Sequence, residues 1–221
     1  MKTYAAIRDM AVARKGEAGL AAHMPDAPEK PLADWTDDRL LAEFSKRVFQ
    51  AGFNWKVVET KWPGFETAFH CFDIGRNAFM SDDDFDRHLK DTGIVRHATK
   101  ILSIRDNAIF LSDLAREHGT AAGYIGNWPK DDTVGLFDLL KKRGSRLGGA
   151  TGQYALRFAG FENFILSRSV VAALNMAGVI DGAATSKAAL AKVQAAFNAW
   201  HDESGESHAR ISRVLAMSVP D

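Results

Sequence analysis

Residues 146–155 read Arg-Leu-Gly-Gly-Ala-Thr-Gly-Gln-Tyr-Ala, a run of small residues lying between two helical patterns. On its N-terminal side Val134, Leu136, Phe137, Leu139 and Leu140 recur at helical spacing as far as Gly144. A tight turn that opens a helix directs backbone N–H groups outward, and missing side chains let a phosphate come close enough to be bound by them. Charge supports that use. Between Leu139 and Phe161 there are five basic residues, Lys141, Lys142, Arg143, Arg146 and Arg157, and no acid. A glycine-rich connection between two helices, with solvated lysines around it, accounts for the same residues, because charge runs are common on solvated faces. Both readings stand on the turn alone.

Outward from this turn the periodicity stays helical. Thr36 with Asp37 and Asp38 marks a helix start, and Leu40, Leu41, Phe44, Val48 and Phe49 follow at three- and four-residue spacing until Gly52. Ser81 starts another helix, with Asp84 placed to return the capping bond and Gly93 closing the segment. From His97 to His118 the stripe Ile101, Ile104, Ala108, Leu111 and Leu114 predicts the longest helix, which Gly119 ends. Ala188 to Trp200, after Ser186, predicts one more. Strand alternation is nowhere sustained, so the expected class is all-α. The linker-like stretches are Met24 to Pro31 and Gly178 to Ala184. A single helical domain over residues 1–221 is expected.

Composition narrows the classes further. With 221 residues, 46% hydrophobic and 25% charged, the chain sits at the soluble globular average, which excludes a disordered or fibrous protein. Lys+Arg and Asp+Glu are 28 each, so a polyanion must be held by a local patch and not by the whole-chain field. The lone Cys71 excludes an internal disulfide, a cysteine-rich zinc finger and an iron–sulfur cluster. No apolar run approaches the roughly 18 residues of a membrane span, and the first residues lack the apolar stretch of a signal peptide. The expected location is the cytoplasm, with no membrane partner.

Three blocks carry a resemblance. Phe49-Gln50-Ala51-Gly52-Phe53-Asn54-Trp55-Lys56-Val57-Val58, then Lys61, Phe65, Ala68, Phe69 and Phe72-Asp73, form the first. Asp91-Thr92-Gly93-Ile94-Val95-Arg96-His97 with Lys100-Ile101 forms the second, and Leu140-Lys141-Lys142-Arg143-Gly144 with Gly149, Thr151 and Tyr154 the third. In this order they resemble the bacterial DNA-3-methyladenine glycosylase I family, whose signature is a QAG-hydrophobe-Ser-Trp core, a phenylalanine-rich helix ending in Phe-Asp, a D-x-G-I-I-R-H-x-x-K-I segment and a helix-hairpin-helix. The blocks cover roughly half of the chain, from about Phe44 to Leu111 and from about Leu136 to Leu174, and the flanks match poorly; the resemblance thus implies a glycosylase-like core of about 36–176 between a divergent N-terminal segment (1–35) and C-terminal helices (177–221).

The resemblance implies a two-lobed helical fold of the helix-hairpin-helix superfamily, acting on double-stranded DNA with an alkylated base. The damaged nucleotide would be flipped out and its base hydrolysed from the sugar. Trp55, flanked by Phe53 and Asn54, falls where the family stacks an indole against the lesion; stacking and cation–π attraction would favour a positively charged methylated purine. Such a base is a good leaving group, so no strong general acid is demanded. By the same resemblance Lys142, Arg146, Gly149, Ala150, Thr151 and Tyr154 would contact the DNA backbone, and Arg96 and Lys100 would offer a second contact. Gln153 lies where lyase-active members of the superfamily place a Schiff-base lysine, and Ser167 about where most members place a catalytic aspartate. Both absences agree with a monofunctional hydrolase.

Two departures matter. Eight residues before the tryptophan the family carries a glutamate that recognises the lesion; this chain has Arg47. Glu43, one turn earlier, is placed to pair with Arg47 and to supply the missing carboxylate, so these two are the catalytic candidates, with Glu59 one turn after Trp55 as a substitute. A solvated helix-face pair of little consequence accounts for Glu43 and Arg47 as well. The family's zinc-binding N-terminal segment is absent here: His23, His201 and His208 have no cysteine partner, so no metal and no cofactor are expected. The readings carried forward are a base-excising monomer, a DNA-binding module of the same fold without excision, and a helical protein–protein scaffold.

Overall fold

The computed structural model describes residues 1–220, which hold twelve α-helices and no strand. They are α1 (Tyr4–Ala21), α2 (Asp37–Gln50), α3 (Trp55–Ala68), α4 (Ile74–Ala78), α5 (Asp82–Lys90), α6 (Ala98–His118), α7 (Ala121–Gly126), α8 (Thr133–Arg143), α9 (Ala150–Phe158), α10 (Arg168–Met176), α11 (Lys187–Ser204) and α12 (His208–Ser218). The chain divides into two compact units. One comprises Lys30–Trp128 and Phe137–Phe161; the other comprises Met1–Glu29, Pro129–Leu136 and the residues from Glu162 onward.

The first unit is organised by α2 and α6. Leu40, Leu41, Phe44, Val48 and Phe49 on α2 are buried, as are Ile101, Ile104, Ala108, Leu111 and Leu114 on α6. Burying each of the larger side chains contributes roughly 1.5–3 kcal/mol. Asp37, in the first turn of α2, also accepts the N–H groups of Ala121 (3.1 Å) and Ala122 (2.8 Å), so one carboxylate serves the N-termini of both α2 and α7. At α5 both bonds of the Ser81/Asp84 capping box are present.

Trp62, Phe65, Phe69 and Phe72 form a stacked ladder between α3 and the turn that follows it, with ring centroids 5.2–6.0 Å apart. The turn itself is unusual: His70, Cys71 and Phe72 all take positive φ, at 54°, 54° and 61°. Asn77 stabilises it by donating to the carbonyls of Phe69 and Asp73, both at 2.8 Å.

The second unit packs α1 against α12 and α11 around Trp200, which is fully buried beside Phe197. Glu203 accepts the N–H groups of Tyr4 (2.9 Å) and Ala5 (3.1 Å), capping α1 from the far end of the sequence. His208 lies against Phe164 and Phe197; burial, then the neighbouring His201 and Lys130, lower its pKa to about 4.

Candidate functional site

All three sequence blocks lie in the first unit and are joined there by specific bonds. Lys61 of α3 donates to Thr92 O at 2.5 Å, and a Cβ on Gly64 would lie 2.4 Å from Gly93 O, so α3 lies directly against the Asp91-Thr92-Gly93 turn. Asn107 of α6 and Ser145, just after α8, exchange two bonds: Asn107 Nδ2 donates to Ser145 O at 3.0 Å and Ser145 N donates to Asn107 Oδ1 at 2.8 Å.

Trp55 is the first residue of α3, and the side chain of Asn54 caps that helix by accepting the N–H of Lys56 at 3.0 Å. Trp55 remains 43% exposed. Its ring meets Tyr154 edge-on at 6.4 Å and Phe158 at 6.2 Å, two residues one turn apart on α9. Phe158 is itself half-exposed, so three aromatic rings form an open corner able to receive a flat ring.

Arg47 closes the inner side of this corner. Its Nε donates to Glu43, its Nη1 donates to Gln50 Oε1 at 2.6 Å, and its guanidinium carbon stands 3.7 Å from the Phe158 ring centre and 5.5 Å from that of Trp55. The Arg47 side chain is only 7% exposed and that of Glu43 13%, so the pair is a nearly dry ion pair and not a solvated face. Gln50 is buried, and its Nε2 has no hydrogen-bond partner.

The hairpin turn leads directly into α9. Arg146 and Gly149 take positive φ (62° and 61°), and a Cβ on Gly152 would lie 2.1 Å from Leu147 O, so glycine is required there for α9 to lie against the turn. Gly149, Ala150 and Thr151 open α9 without a side-chain cap, leaving the first N–H groups available to an anion. A cavity of about 380 Å³ is lined by Val48, Ala51, Lys100, Arg146, Gly148 and Thr151. Arg146 Nη1 donates to Thr99 Oγ1 at 3.2 Å.

The remaining expected contacts are placed differently from one another. Arg96 is exposed before α6, and Lys142 is exposed with Asp138 at 2.6 Å, a surface pair worth at most about 1 kcal/mol. Arg143 donates two hydrogen bonds, from Nη1 and Nη2, to the Glu117 carboxylate, each at 3.2 Å. Lys100, by contrast, is 4% exposed; its Nζ donates to Phe49 O at 3.1 Å and Ala51 O at 2.7 Å, and lies 5.6 Å from the ring centre of half-exposed Phe53. Burial, and secondly Arg146, push its pKa below the ordinary lysine value. The sequence reading missed Phe158 and Asn107. The signals were the i,i+4 spacing of Phe158 from Tyr154 and the seven-residue spacing of Asn107 from Lys100. A second cavity, of about 470 Å³, lies in the other unit, lined by polar groups including Glu162, His201, Asp202 and His208.

The helix order, the turn before α9 and the all-α build define the helix-hairpin-helix DNA glycosylase-like fold. A structure of 3-methyladenine DNA glycosylase I matches with a TM-score of 0.50 and 26% identity, covering 63% of this chain and 91% of that one. A Staphylococcus aureus structure, described as the basis of 3-methyladenine recognition by 3-methyladenine DNA glycosylase I, matches in fold with a TM-score of 0.53 at 23% identity, covering 69% and 91%. Residues 32–137, just under half of the chain, match the methyladenine glycosylase family model. The DNA-3-methyladenine glycosylase 1 of Escherichia coli K12 is 41% identical over 59 residues, 27% of this chain and 32% of that protein. The DNA-3-methyladenine glycosylase of Haemophilus influenzae is 37% identical over 75 residues, 34% of this chain and 40% of that protein. The matched segments thus span about a third of the curated relatives' length.

Proposed function

We propose that the protein is a monofunctional DNA glycosylase that releases alkylated purines such as 3-methyladenine from double-stranded DNA. The observation that carries this reading is the half-exposed Trp55, set edge-on against Tyr154 and Phe158 of α9, the helix whose start is uncapped. An extruded base stacks in the corner while the adjoining phosphate takes the N–H groups of Gly149, Ala150 and Thr151, with Arg146 adding charge. When the C1′–N bond breaks, its electron pair neutralises the cationic ring, so the base leaves without being protonated first. The oxygen of a water bonds C1′ and its proton passes to solvent, leaving an abasic sugar. The protein acts as a monomer in the cytoplasm, and no described helix is long and apolar enough to cross a membrane.

A second reading, a DNA-binding module without excision, is favoured by the Arg47 guanidinium stacked on Phe158, since a fixed cation disfavours a second one beside it. The deciding experiment incubates alkylated duplex DNA with the protein and measures free base by chromatography. Release of 3-methyladenine without strand cleavage supports the enzyme. DNA binding without any base released supports the module.

A further inference from the structure

Two side chains of α6 reach the two halves of the site. Lys100 holds the carbonyls of Phe49 and Ala51, where α2 ends, and Asn107 holds both backbone groups of Ser145, where the hairpin turn begins. Seven residues on a helix amount to two turns on one face, roughly 10.5 Å along its axis.

We propose that α6 is a two-point jig, in which Lys100 and Asn107 are positioning residues that fix the segment carrying Phe53, Asn54 and Trp55 relative to the phosphate-facing turn from Ser145 to Thr151. The inference rests on reading those segments as the base site and the backbone site. The last carbonyls of a helix have no partner within it, and a cation is favoured at that end. A compact ammonium meets two converging carbonyls where a planar guanidinium fits less well. Lys100 commits two of its three donors to the protein and is almost wholly buried, the opposite of a lysine that waits for a phosphate in solvent. Asn107 is fully buried and satisfies its Ser145 partner as another backbone strand would.

The test reads amide hydrogen exchange and DNA affinity in wild type, Lys100→Met and Asn107→Ser. Lys100→Met is expected to speed exchange at residues 51–56 at least about tenfold with little change at 145–152, and to leave the slope of log K against log salt unaltered while base release falls. Asn107→Ser is expected to speed exchange at 145–152 and weaken DNA binding. A slope that drops by about one unit in Lys100→Met, or exchange at 51–56 equal to wild type, overturns the proposal. If Lys100→Met does not fold, the unmodified protein with ¹⁵N-lysine decides. A Lys100 ammonium signal observable in the free protein and unmoved by DNA supports the jig, and one that shifts on DNA addition overturns it. Wild type that releases no base but shows the expected exchange pattern removes the enzymatic reading and leaves the jig standing.

Discussion

The Arg47 guanidinium carbon stands 3.7 Å from the centre of the Phe158 ring, with Glu43 as its counter-ion. That pair puts a built-in cation inside an aromatic corner and ties up the nearest carboxylate. Arg47→Glu is expected to raise 3-methyladenine release about tenfold, close to 1.4 kcal/mol in the barrier, because a carboxylate then faces the cationic base. Glu43→Gln is expected to lower release and to cost about 1–3 kcal/mol of stability, since it leaves the buried guanidinium without its counter-ion. Initial rates of base release and urea unfolding of the same preparations check both. An unchanged rate in Glu43→Gln means that Glu43 serves only to hold Arg47.

Trp55 has no large share in the core, so its replacement isolates recognition from folding. Trp55→Ala is expected to reduce base release by about one to two decades, equivalent to about 1–3 kcal/mol of lost stacking, with little change in melting temperature. If release and DNA affinity both match wild type, the aromatic corner is not the base site.

Much of the fold was readable because its signals are local. Thr36 to Gly52, the Ser81/Asp84 box and the Gly119 stop depend on spacing within one helix, and α2 and α6 lie where those residues place them, whereas α5 starts at the Ser81 cap but ends at Lys90, three residues before the Gly93 expected to close it. Helix α1 has no such signal: it is weakly amphipathic, is bent at Gly16 (φ 70°), and is capped by Glu203 from the distant end of the chain. For the candidate site, Trp55 and Tyr154 were singled out through the family resemblance of the three blocks, and the hairpin through its small residues and local charge as well. It left the Glu43–Arg47 pair open between solvated and functional, because the residue that covers Arg47 is Phe158, which no local pattern connects to it. Lys100 likewise reads as a surface cation until the carbonyls of Phe49 and Ala51 are seen to enclose it.

The hairpin makes a prediction about salt. Arg146→Ala and Lys142→Ala are each expected to reduce the slope of log K against log salt by about one unit, measured by fluorescence anisotropy with a duplex. The Asp138 pair does not exempt Lys142, because an exposed ion pair gives way readily to a phosphate. Unaltered slopes in both variants take this face out of the binding surface.

Ligand counting predicts that activity needs no metal. A structural zinc takes four nitrogen or sulfur ligands, and Cys71 lies in the other unit from His201 and His208. Base release is expected to survive chelation unchanged, with less than stoichiometric zinc by elemental analysis. Stoichiometric zinc that resists a mild chelator contradicts the count.

His208 sets an acid limit on the second unit. Its pKa is about 4 in the folded protein, against about 6.5 when unfolded, because burial against Phe164 and Phe197 and the nearby His201 and Lys130 disfavour the charged ring. Between these values the unfolded chain binds a proton that the folded chain does not, so stability rises with pH across that window. The stabilising effect is fully present above pH 6.5 and is lost as pH falls toward 4, by roughly 2–3 kcal/mol, at 1.36 kcal/mol per pKa unit less an allowance for residual solvent. A hydrogen bond with the Phe197 backbone and, more weakly, the Asp131 carboxylate oppose the shift. Urea unfolding of wild type and His208→Leu at pH 7 and pH 4.5 checks this. The variant is expected to lose less stability than wild type on acidification, by about that amount, and equal losses would show that His208 is not the group that titrates.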